Sequence, residues 1–210
     1  MEVTYQQTDE NLQGIVQGLS PEPQDRILSI CGSGDQPFAL LENAGYVLAI
    51  DHCYNQIQFA IKRKEKLQEQ DTASFVGLVK GAKKSPQPKQ QHYYFNQDRL
   101  EKIRQNLKHI EFKEATIHQI TTNETWSKIY LSNISMAKEN NPFFHWNQVA
   151  LLLNLGGLVY HASIYQTNHS PNTGQDNQHL WPKNLILDQE QTQLSQKCKG
   201  YYNPAIFRKI

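Results

Sequence analysis

The residues of this 210-residue chain that could do chemistry begin with two glycines and an acid. Gly32 and Gly34 stand in ILSICGSGD (27–35), between an apolar run and an amphipathic one. Glycines at such a junction let backbone approach a ligand without Cβ interference, and amides opening the next helix attract an anion. Asp51 closes the apolar run YVLAI (46–50), about twenty residues past the glycines, where a carboxylate at a strand tip pairs with a ribose diol. The turn reads G-S-G-D and lacks the third glycine that a dinucleotide pyrophosphate favours. An adenosine compound such as S-adenosylmethionine therefore fits better than NAD. The alternative is that the glycines only make a tight turn in another α/β fold.

These groups need a strand over 27–31, a helix over about 36–43 and a second strand over 46–50, half of a nucleotide-binding α/β unit. Pro37 is tolerated in the first helical turn. Ahead of the unit, Leu12, Ile15, Val16 and Leu19 form a helical stripe over 8–19 with Asp9 as N-cap. A helix there would lie over the cleft and bring Tyr5 near a ligand or acceptor; plain packing is the alternative. Past Asp51, His52 is placed to touch ribose or base, and 55–69 forms a crossover helix with arginine and lysine on its outer face.

The apolar turn 75–81 precedes a lysine- and proline-containing stretch, 82–95, read as an acceptor-binding insertion, a mobile lid or a solvated connector. A helix over 96–107 and a strand over 109–113 follow, bringing Thr116 to a strand tip where adenine is commonly contacted, with Ile117 beside it. The run KIYLSNI (128–134) ends in polar residues, so Ser132 and Asn133 are candidates for the amino-acid end of the cosubstrate or for the reacting group. Asn141-Pro142-Phe143-Phe144 invites comparison with the N-P-P-aromatic motif of amino-group methyltransferases, but it lacks the second proline and begins eight residues after Asn133. A helix over 146–154, capped by Gly156-Gly157, precedes a strand over 158–163. The stretch 166–178 is a long polar loop, and 184–187 and 201–210 supply edge strands.

Composition bounds the rest. The net charge of +1 gives no reason to expect a nucleic-acid-binding face. The start of the sequence lacks a secretory pattern and no apolar run is long enough to span a membrane, which predicts a cytoplasmic protein. Cys31, Cys53 and Cys198, like His169 and His179, have no metal-like spacing. The expectation is one domain over residues 1–210 with an α/β fold, a mostly parallel central sheet and helices on both faces.

The order of these elements resembles the Rossmann-like fold of S-adenosylmethionine-dependent methyltransferases. Within that superfamily the chain most resembles the S-adenosylmethionine:diacylglycerol 3-amino-3-carboxypropyltransferases. The residues that carry the resemblance are ILSICGSGD at 27–35, LAID at 48–51, FVGLVKG at 75–81, RLEKIRQNL at 99–107, IYLSNIS at 129–135 and LGGLVYHAS at 155–163. The resemblance implies S-adenosylmethionine as cosubstrate, bound through Gly32, Gly34, Asp35, Asp51 and Asn133. Cys31, Ser33, His52, Thr116 and Ser132 complete the expected binding set. The acceptor is a small molecule or a lipid. In-line displacement at a sulfonium asks the protein mainly to align the acceptor and exclude water. Asp35, His161 and Tyr5 are the candidates for a general base. Transfer of aminocarboxypropyl, transfer of methyl and noncatalytic binding remain the alternatives.

Overall fold

The computed structural model describes residues 3–77, 93–132, 142–163, 182–198 and 203–210. Among these residues seven strands form one sheet: β1 (Arg26–Ile30), β2 (Tyr46–Asp51), β3 (Ile110–Glu114), β4 (Trp126–Tyr130), β5 (Leu153–Ser163), β6 (Leu185–Leu187) and β7 (Asn203–Lys209). Their order is β3-β2-β1-β4-β5-β7-β6. β1 pairs in parallel with β2 and β4, with Leu28 opposite Leu48 and Ile129. β3 and β5 extend the parallel part, and β7 and β6 add antiparallel pairs. The expected α/β class and mostly parallel sheet are present. β7 lies between β5 and β6, so of the two C-terminal strands only β6 is an edge.

Side chains alternate across the strands, as the pleat requires. Ile27, Val47, Tyr130 and Tyr160 enter one apolar layer with α1 (Leu12–Leu19), α2 (Asp35–Leu41) and α5 (Gln97–Asn106). Leu28, Leu48, Ile129 and Val159 enter the other with Trp146, Val149 and Leu152 of α6 (Pro142–Leu152). α3 (Tyr54–Gln68) and α4 (Thr72–Gly77) belong to the crossover from β2 to β3. The sheet is thus wound in opposite directions from β1 and β4, and the crevice between those strands is its topological switch point. Among the described residues no helix is long and apolar enough to cross a membrane.

Several boundaries differ from the sequence reading. α1 begins at Leu12 because Asn11 is its N-cap, its Oδ1 accepting from Gly14 N–H at 3.1 Å; Asp9 is no cap. Gly156-Gly157 is not a helix cap. β5 already starts at Leu153, and the glycines lie where its register with β4 shifts between Trp126 and Lys128. A Cβ on Gly157 would stand 2.7 Å from the Ser127 carbonyl, so backbone approaches backbone there too closely for a side chain.

One helix escaped the periodicity. α7 (Gln189–Lys197) buries Thr192 and Ser195 and no large apolar residue. It packs on the glycine face of α1, where a Cβ on Gly18 would meet Ser195 Cβ at 2.9 Å. Small residues on both sides leave no hydrophobic stripe to read. Asn133, the stretch 82–92, the loop 166–178 and the start of the Asn141-Pro142-Phe143-Phe144 comparison lie outside the described residues.

Candidate functional site

The C-terminal ends of β1, β2 and β4 meet at the switch point, and the loop after β1 shapes its floor. Gly32 and Gly34 adopt φ of +49° and +88°, left-handed values that glycine reaches without steric cost. Gly34 is also closed in by packing, because a Cβ there would stand 3.1 Å from the Phe38 ring and 3.2 Å from Ala60. Above Gly32 the space is open, the nearest atom being Gln36 Oε1 at 3.9 Å. A ligand can therefore approach backbone at Gly32, whereas Gly34 serves close packing of the turn on α2 and α3.

Asp51 is drawn to this turn. Its Oδ2 accepts from Gly32 N–H at 3.1 Å and its Oδ1 from Cys53 N–H at 3.0 Å. Two amides fix the carboxylate at the tip of β2, and each oxygen keeps acceptor capacity for a diol. His52 is beside it, Nδ1 3.5 Å from Asp51 Oδ1, with an 82% exposed side chain. Cys31 is fully buried below, where desolvation first and the nearby Asp51 charge second raise its thiol pKa well above the usual range. Thr116 follows β3 and caps a 3₁₀ turn, its N–H donating to Gln119 Oε1 at 2.7 Å. Ala115 N–H donates to the Asp51 carbonyl at 2.9 Å, so the β2 and β3 tips form one wall. Ile117 is buried in the core behind that wall.

Asp35 does a different job from that of an exposed base. Its carboxylate is 3% exposed and pairs with Arg63 Nη2 at 2.8 Å. It also accepts from Ser33 Oγ at 2.8 Å and from Thr8 N–H at 2.9 Å. Arg63 donates in addition to the Ser33 carbonyl at 2.8 Å and lies over the Phe75 ring. These contacts fill the Asp35 carboxylate with structural partners. The outer-face arginine expected on α3 is thus an internal pillar of the glycine turn.

The other two candidates for a base are Tyr5 and His161. Tyr5 has an exposed side chain, and its backbone N–H donates to Gln56 Oε1 at 3.1 Å. His161 is buried with its ring 5.5 Å from that of Trp146, and desolvation lowers its pKa to about 4. A base that weak is a poor proton acceptor near neutrality.

Residues 5–10 form a strap across the strand tips. Tyr5 is tied to Gln56 of α3, Thr8 to Asp35 and Gln36 of α2, and Glu10 to Tyr130 and Ser132 at the end of β4. The expected cover of the cleft is this strap, with the helix beginning only after it. Ser132 takes φ of +54°, a left-handed turn that brings its Oγ to Glu10 at 2.7 Å. Glu10 and Arg63 were not singled out from sequence: one lies in a polar run, the other among surface-type charges. No cluster of three or more potential metal ligands occurs among the described residues.

No family profile matches the chain, and no curated protein matches it in sequence. Solved structures do resemble it. The N-methyltransferase NodS from Bradyrhizobium japonicum, in complex with S-adenosyl-L-homocysteine, aligns over 95% of this chain and 85% of its own, at TM-score 0.57 and 13% identity. TrmN from Thermus thermophilus aligns over 95% of this chain and 48% of its own, at TM-score 0.56 and 15% identity. An S-adenosylmethionine-dependent O-methyltransferase from Thermotoga maritima aligns over 95% and 64%, at TM-score 0.51 and 10% identity. The chain spans about half the length, or less, of several neighbours it matches. At these identities the likeness establishes the fold, a Rossmann-like methyltransferase fold.

Proposed function

We propose that the chain binds S-adenosylmethionine at the tips of β1, β2 and β4 and transfers a carbon group from it to an acceptor. The observation that carries this reading is the Asp51 carboxylate, held by the Gly32 and Cys53 amides beside an open space above Gly32. In that arrangement Asp51 serves the ribose hydroxyls, His52 and Thr116 flank the base, and the Cys31–Asp35 turn with Ser132 and Asn133 serves the methionyl end. The cosubstrate supplies an electrophilic carbon attached to a sulfonium. The protein's own work is to fix the turn through Arg63, close the crevice with the strap and exclude water.

Two carbons are open to transfer. The sequence resemblance supports the Cγ of the methionyl chain, giving aminocarboxypropyl transfer to a small or lipid acceptor. The structural neighbours, an N-methyltransferase and an O-methyltransferase among them, support methyl transfer as the alternative. Incubation with S-adenosylmethionine and a metabolite extract, followed by mass identification of the nucleoside, decides between them. Methylthioadenosine is the product of Cγ transfer and S-adenosylhomocysteine that of methyl transfer. Absence of both products, with binding intact, would leave a noncatalytic binding protein.

A further inference from the structure

The strap carries one buried carboxyl that the reading above leaves unused. Glu10 is 3% exposed. Its Oε1 accepts from the Tyr130 hydroxyl at 2.5 Å and from Ser132 Oγ at 2.7 Å. Its Oε2 is buried and has no hydrogen-bond partner among the described residues. A desolvated carboxylate oxygen without a donor is costly, and the cost persists where function uses it. The position is functional in kind: Thr8, two residues earlier, is held by Asp35 and Gln36 on the α2 side of the switch point, and Glu10 is held by β4 on the other. The segment Thr8–Glu10 therefore crosses the crevice in which ligands of doubly wound sheets bind, with Glu10 on its β4 side.

We propose that Glu10 Oε2 binds an amine on the acceptor and takes its proton as the transfer occurs. The proposal rests on the transferase reading given above. In the step, a bond forms between the amine nitrogen and the transferred carbon. The carbon–sulfur bond breaks with its electron pair passing to sulfur, and the proton leaves nitrogen for Glu10 Oε2.

The choice of an amine over an alcohol follows from proton matching. Burial raises the Glu10 pKa to about 7; hydrogen bonds from Tyr130 and Ser132 oppose the rise and the Asp9 charge adds to it. Tyr160 also faces this carboxylate, with its own phenol pKa pushed well up by burial first and by the Glu10 charge second. No cation is among these neighbours, and an N–H of the neutral amine would supply the missing donor. Amines of pKa about 8 to 10 lie one to three units above Glu10. A hydroxyl resembling water lies far above it.

The test is calorimetric titration of the full chain with two probes. One is S-adenosylhomocysteine; the other is sinefungin, in which a carbon bearing an amine replaces the methyl-bearing sulfonium. At about pH 8 the wild type should bind sinefungin at least about fivefold more tightly than S-adenosylhomocysteine, and the preference should shrink at about pH 5.5, where Glu10 is protonated. Glu10→Gln should abolish the preference and leave S-adenosylhomocysteine affinity within about twofold. A preference that survives Glu10→Gln overturns the proposal, as does an equal loss of both probes, which would put Glu10 against the cosubstrate itself. If Glu10→Gln does not fold, the wild-type pH series decides, and a preference that is flat across that range or absent refutes the assignment. Failure of the wild type to bind either probe would instead overturn the cosubstrate reading.

Discussion

The backbone N–H of Thr8 donates to Asp35 Oδ2 at 2.9 Å, which ties the strap to the first residue of α2. Because the same carboxylate holds Ser33 and Arg63, one acid joins strap, glycine turn and α3. Arg63→Met leaves that acid buried without its countercharge and should cost about 3–5 kcal/mol of stability in urea unfolding. Adding Asp35→Asn should cost less than the sum of the single effects; strict additivity would show the pair to be uncoupled.

Asp51→Ala removes the group placed for the ribose diol. S-adenosylhomocysteine affinity should fall at least about tenfold, near 1.4 kcal/mol, by calorimetry. His52→Ala, beside it but largely in solvent, should change affinity by less than about threefold. Retained affinity in the Asp51 variant would move the ribose site elsewhere.

Two buried groups should shape the pH dependence of stability in opposite directions. Glu10 is raised from 4.5 to about 7, so the folded state prefers its proton; that contribution is complete below pH 4.5 and is lost as pH rises to about 7. His161 is lowered from 6.5 to about 4, so its contribution is complete above pH 6.5 and is lost as pH falls toward 4. Each is worth about 3 kcal/mol at its limit. Glu10→Gln should therefore gain on the wild type between about pH 5 and pH 8, seen as a thermal midpoint difference that grows by several degrees. Parallel melting profiles would contradict the raised pKa of Glu10.

Gly157→Ala forces a Cβ to 2.7 Å from the Ser127 carbonyl and 2.9 Å from the Asn154 carbonyl. Since both neighbours are backbone, the variant should lose about 1–3 kcal/mol in denaturant unfolding. Gly156, with φ of +77° and open space around its Cβ position, should accept asparagine at less than about 1 kcal/mol. Equal losses at the two sites would mean that conformation, and not close approach, governs the irregularity.

The parts of the molecule that sequence disclosed are those in which neighbours in the chain are neighbours in space. The glycine turn, the apolar strands and Asp51 at a strand tip follow from local pattern. Glu10 did not, because the hydroxyls that hold it, on Tyr130 at the end of β4 and on Ser132 just past it, are 120 and 122 residues away, and the TDEN run offers no periodic signal. Arg63 read as one more surface charge on α3, since only tertiary packing brings Asp35 and the Phe75 ring to it. α7 was hidden by the small residues on both sides of its contact with α1.

That last contact bears on when the site can exist. α1 continues directly from the strap, yet the surface that seats it, Ser195 and Ile206, lies near the far end of the sequence. A nascent chain lacking α7 and β7 would have its glycine turn and the α2 side of the seat for α1, but not the side formed by Ser195 and Ile206. Closing so long a loop is entropically costly and slow, so the crevice should acquire its cover among the final events of folding.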